Sequence, residues 1–157
     1  MRSVSVTTDL ACQPDAVMEA LCSIQAFVHV ARPALRMPVA EAIVDPIAVG
    51  QQISGRLRFG GLLPLTRHTI RVVSIDRAVR EIVTSESGGF VRRWDHTIRV
   101  TPGPEGTARY EDAIDIDAGI LTLLVVGFAH LFYRHRQRRW RHLAPVLDGA
   151  ARVRASR

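Results

Sequence analysis

Three residues able to carry chemistry stand in rows where alternation otherwise calls for apolar side chains. In RRWDHTIRV, Arg92 to Val100, a strand would point Trp94, His96, Ile98 and Val100 one way and Arg93, Asp95, Thr97 and Arg99 the other. The second row faces water; the first is apolar except for His96. In LTRHTIRVVSID, His68 shares its side with Ile70 and Val72. In ARYEDAIDID, Asp112 shares its side with Tyr110 and Ile114.

The turn PGPEG, Pro102 to Gly106, joins the strand of His96 to that of Asp112. If Thr101 pairs with Thr107, Ile98 faces Tyr110, Trp94 faces Ile114 and His96 faces Asp112, about 4.5–5.5 Å apart at Cα. A bulge in the turn would shift this register. A polar group buried without a partner costs on the order of 1–3 kcal/mol. An adjacent carboxylate favours the protonated imidazole, and burial opposes it.

Three roles suit such a pair: a satisfied core contact that orders the sheet, an anchor for the polar head of a ligand, or a general base. No cysteine or serine nucleophile is placed nearby, so any catalysis would be proton transfer, with His96 as base, Asp112 orienting it and Tyr110 or His68 assisting. His68, His96 and Asp112 lack the spacing of a metal site, and neither a metal nor another cofactor is expected.

The elements that must position these residues follow from the period. Val4, Val6 and Thr8 alternate with Ser3, Ser5 and Thr7 in a short first strand. Pro14 and Asp15 then open a helical stretch with Val17, Ala20, Leu21 and Ile24 at helical spacing. Ser23 can cap a second short helix, and Pro33 and Pro38 end the pattern. From about Leu35 to Ile116 the period is two, with glycine- and proline-containing turns at short intervals, as in an antiparallel meander.

Ala118 to Leu147 reads as one helix, roughly 45 Å long if all thirty residues are helical. It is apolar almost all round from Ile120 to Phe132, as expected of a helix enclosed by a sheet. Elements grouped in this order indicate α+β rather than alternating α/β. The expected fold is a curved antiparallel sheet of six to seven strands around a long C-terminal helix, with two short helices after the first strand.

The 157 residues suffice for one domain with a substantial core, about 2–147, followed by a basic disordered tail at 148–157. Hydrophobic residues make up 47% and charged residues 23%, which argues against a disordered chain. All 21 basic residues are arginine, and the net charge of +6 favours acidic partners. Cys12 and Cys22 would lie roughly 15 Å apart along a helix, too far for a disulfide. They read as buried thiols of a cytoplasmic protein, and MRSVSVTTDL lacks the apolar run of a signal peptide.

The ordered set Trp94-x-His96, Gly106-Thr107, Asp112 and Tyr133-Arg134 near the middle of the last helix resembles the SRPBCC or START-like superfamily. That helix-grip family includes plant pathogenesis-related allergens and polyketide cyclases, and the chain is most similar to its bacterial ligand-binding branch. The resemblance implies a hydrophobic cavity between sheet and helix for a lipid, polyketide or isoprenoid-like molecule. The GGLLP and SESGGF segments would lie at strand ends near a mouth. Phe90, Trp94, Tyr110, Leu124, Phe128 and Phe132 are large enough to line it. With His68, His96 and Asp112 they form the expected ligand-binding set. A cyclase or dehydratase using His96 is the alternative function.

Other partners follow from the charge. AGILTLLVVGFAHLFY is too short to span a bilayer, and His130 interrupts it. Arg134, Arg136, Arg138, Arg139 and Arg141 around Trp140 could rest on an anionic membrane surface. The outward strand faces carry Arg56, Arg58, Arg67, Arg71, Arg93, Arg99 and Arg109. They lack the exposed aromatics that single-strand binders interleave, so nucleic acid is not expected. A partner-binding or homodimeric module using the arginine face is a third class.

Overall fold

In the computed structural model every residue is described except 44, 61, 62, 156 and 157, and residues 150–155 are described in backbone only. Seven strands form one antiparallel sheet in the order β1-β7-β6-β5-β4-β3-β2. The strands are β1 (Arg2–Leu10), β2 (Leu35–Arg36), β3 (Gln52–Phe59), β4 (Leu63–Asp76), β5 (Glu81–Gly88), β6 (Val91–Pro102) and β7 (Ala108–Asp117). Two short helices, α1 (Pro14–Leu21) and α2 (Ile24–Ala31), follow β1, and the long α3 (Thr122–Ala155) closes the chain. This is the helix-grip arrangement expected from the sequence.

Local chemistry explains the breaks. Pro14 occupies the first turn of α1, where its missing N–H is no loss. Ser23 accepts a hydrogen bond from the Ala26 amide at 3.3 Å and so starts α2 as a separate helix. Register shifts at Arg56/Arg58, Val72/Ser74 and Glu86/Gly88 interrupt three successive strand pairs. Bulges of this kind bend strands and increase twist, which curves the sheet toward α3. At Gly88 a Cβ would collide with the Arg67 carbonyl oxygen, so only glycine allows this close approach of β5 to β4.

The β6–β7 register differs from the expected one. Thr101 pairs with Arg109, Ile98 with Asp112 and His96 with Ile114. The loop runs from Gly103 to Thr107, closed by a Gly103 N–H to Thr107 carbonyl bond of 2.9 Å, with Glu105 left-handed at φ 54°. Closing the turn one pair farther along displaces the partner by two residues. An even displacement keeps every side chain on its face, so His96 and Asp112 remain on the same side as diagonal neighbours.

The last helix also departs from expectation. Its backbone continues through Pro145 to Ala155, so 148–155 extends the helix instead of forming a disordered tail. The rest of that tail, 156–157, lies outside the described residues. Nor is its first half enclosed. Val125, Ala129 and Tyr133 pack on the sheet, whereas Leu124 is 72% exposed, Leu123 and Leu131 71%, and Ile120, in the turn just before the helix, 99%. A half-open sheet covers one side of a helix, and the opposite apolar stripe is left facing water.

Among the described residues no helix is long and apolar enough to cross a membrane. Cys12 and Cys22 are buried, unbridged thiols. Burial, with Asp148 adding negative charge, pushes the Cys12 thiol up to about 11. Below the sheet, Trp140 packs with Leu10, Val17, Val30 and Tyr110 in the core under α1 and α2, at 1% exposure. Truncating this side chain, Trp140→Ala, is expected to cost about 3–5 kcal/mol, measured by urea denaturation.

Candidate functional site

The polar residues on the concave face of the sheet converge on α3. Asp112, on β7, is wholly buried. Its Oδ1 accepts hydrogen bonds from Tyr110 Oη at 2.8 Å and from His96 Nε2 at 2.9 Å. Gln137 Nε2 on α3 donates to Oδ2 at 3.3 Å and to the Val6 carbonyl on β1 at 2.5 Å. Arg136 NH1 stands 3.8 Å from Oδ1, and Arg136 NH2 donates to Tyr110 Oη at 3.4 Å. The guanidinium also lies over the Phe27 and Tyr133 rings, while its Nε is buried with no hydrogen-bond partner among the described residues.

A second carboxylate stands beside this cluster. Glu86 on β5 accepts from His68 Nε2 at 3.0 Å and from Thr84 Oγ1 at 3.0 Å, and its Oε1 is 4.0 Å from His96 Nδ1. His96 thus stands between two carboxylates. Trp94 Nε1 donates to the Tyr133 hydroxyl at 3.2 Å, and the Tyr133 ring packs 4.8 Å from that of His96.

These partners decide the charges. Burial pushes both carboxyls up, yet each stays below its ordinary value. For Glu86 the His68 hydrogen bond and charge outweigh burial. For Asp112 the Arg136 charge and the His96 bond do so. Burial opposes the charge on Arg136, but the surrounding phenols and carboxylates raise its pKa further. Burial, and then Asp112 or Glu86, push the Tyr110 and Tyr133 phenols well above their usual range, so both stay protonated.

A cavity of about 450 Å³ opens beside this network between α3 and β3–β6. It is lined almost wholly by apolar side chains, among them Phe27, Met37, Leu57, Phe59, Ile70 and Val125. Of the residues expected from the sequence, His68, Phe90, Trp94, Leu124, Phe128 and Phe132 line it. His96 lines a smaller cavity of about 50 Å³ on the other side of Glu86 and Arg136, which border both spaces. Tyr110 and Asp112 line neither and act behind the cavity walls.

At the mouth, Phe59 and Phe90 are exposed. Part of the GGLLP segment, residues 61–62, lies outside the described residues. Among the described residues no cluster of three or more potential metal ligands is present.

Glu86 and Arg136 are the members of this network that the sequence reading overlooked. Glu86 alternates in step with Ile82 and Thr84, the same signal that marked His96. Arg136 belongs to the basic run that could rest on an anionic membrane surface, yet it and Trp140 are buried, at 1% each. Both lie on the stripe Ala129, Tyr133, Arg136, Trp140 and Ala144, spaced by three or four residues.

Residues 8–144 match the family model described as "Domain of unknown function (DUF8410)". No curated protein matches the chain in sequence. Several solved structures share the fold. A START superfamily protein from Mycobacterium smegmatis superposes with a TM-score of 0.68 at 13% identity, covering 92% of this chain and 98% of that one. The allergen Ara h 8.0201 gives 0.70 at 9%, again covering 92% and 98%. Norcoclaurine synthase from Thalictrum flavum, solved with dopamine and hydroxybenzaldehyde, gives 0.65 at 12%, covering 90% and 85%. The fold is therefore the START-like helix-grip fold.

The depressed pKa of Asp112 fixes the sign of a pH effect. Its contribution to stability is present above the unfolded value, about 3.9, and is lost as pH falls through the lower folded value. Asp112→Asn leaves the Arg136 charge buried without its carboxylate and is expected to cost about 3–5 kcal/mol at neutral pH. In urea denaturation the gap between wild type and variant should narrow as pH drops below about 4.

Proposed function

We propose that this chain, which belongs to the DUF8410 family, binds an apolar small molecule in the cavity between the sheet and α3. The observation that carries this reading is the cavity itself. At about 450 Å³ it falls within the range of small-molecule sites, and its walls are apolar except where Arg36, Thr66, His68, Glu86 and Arg136 border it. The START-like fold of the structural neighbours supports the same reading. The ligand class is a lipid, polyketide or isoprenoid-like molecule, in keeping with aromatic and aliphatic walls.

Binding rather than catalysis suits the placement of His96. Its Nε2 is taken up by Asp112, and the ring borders only the smaller cavity. The free buried thiols are in keeping with a cytoplasmic setting. Any contact with anionic lipid through the basic part of α3 falls to Arg134, Arg138 and Arg141, which are exposed there.

Native mass spectrometry of the purified chain, followed by organic extraction, tests the proposal. A stoichiometric apolar molecule is expected to co-purify, and Leu57→Trp, which fills the cavity, should abolish its retention. Absence of any bound species, with no thermal shift across a panel of apolar ligands, would falsify the reading.

A further inference from the structure

The polar end of the large cavity is built around the Glu86 carboxylate. Glu86 is ionised, and an ionised carboxylate has no proton to give, so the hydrogen-bonded Nε2 of His68 carries a ring proton. The cation of the cluster is recessed. The Glu86 and His68 side chains are 11% and 9% exposed, against 2% for Arg136, whose terminal nitrogens are turned to Tyr110 and Asp112. At this end a molecule in the cavity meets the Glu86 carboxylate before the Arg136 guanidinium, and the other lining cation, Arg36, is held by Glu41.

Resting on the cavity-binding reading, we infer that the ligand carries a hydroxyl, as an apolar alcohol or phenol, and that Glu86 is the residue that accepts its proton donor. A hydroxyl satisfies Glu86 with a charge-assisted bond and needs no counter-charge. A carboxylate head would surrender its water and then face the ionised Glu86 in a medium of low dielectric. An ammonium head is also a donor, but Arg136 already supplies the fixed positive charge of this cluster.

The test is displacement of a neutral fluorophore, N-phenylnaphthylamine, from the full chain at about pH 8. The competitors are dodecanol, dodecyl methyl ether, dodecanoate and dodecylamine, which share a tail and differ in the head. Dodecanol is expected to bind at least about tenfold more tightly than the ether, which accepts but cannot donate, and than dodecanoate. Glu86→Gln should shrink both gaps. Should that variant fail to fold, the wild-type series alone decides.

Dodecanoate or dodecylamine binding as tightly as dodecanol overturns the inference, and so does an ether equal to the alcohol. In either case displacement still occurs, and the cavity reading stands. If neither the fluorophore nor any of the four binds, the cavity reading falls and takes this inference with it.

Discussion

Everything on the concave side of the sheet is arranged around one ion that has no water. Asp112 carries a negative charge at zero exposure, and moving an ion of that size out of water costs several kcal/mol unless donors replace the solvent. Its donors come from its own strand (Tyr110), from the adjacent strand (His96) and from the helix that crosses the sheet (Gln137, with Arg136 near). The position of α3 is thereby tied to the chemistry of β7. Glu86 repeats the solution two strands away from Asp112, with His68 and Thr84 as its donors. Both carboxylates lie within reach of His96, which joins the two groups into one network.

Strand alternation made part of this visible from sequence. His68, His96 and Asp112 each broke an apolar row, and a lone polar group in such a row needs a partner on the same face. The pairing of His96 with Asp112 was legible, but its register was not. The register depends on a left-handed Glu105, a conformation that the sequence does not announce at a non-glycine residue. Glu86 was missed because Thr84 and Glu86 make their row look like a solvated one. Arg136 was missed because composition hides it: in a run so rich in arginine, only helical spacing tells a buried one from its neighbours.

The architecture was the most legible level, since periods of two and of 3.6 are set by backbone geometry. The enclosure of α3 was not, because hydrophobicity all round a helix does not say which side a sheet covers. The same helix also explains why space is left at one end and not the other. Its sheet-facing stripe begins with the small residues Val125 and Ala129 and carries Trp140 near its other end. Trp140 fills the end under α1 and α2, whereas the small residues leave room beneath β3–β6.

The double tether of Gln137 to Asp112 and to the Val6 carbonyl has a mechanical side. Sliding α3 by one turn, about 5.4 Å, would pull Gln137 from both acceptors and take Arg136 away from its carboxylate. The helix is thus keyed against translation at its midpoint, and the base of the grip is stiff. On the proposed cavity-binding reading, guests of different girth are fitted at the other end, where Phe59, Phe90 and Leu124 are exposed to water. The molecule is a vice with a fixed jaw and a soft lip.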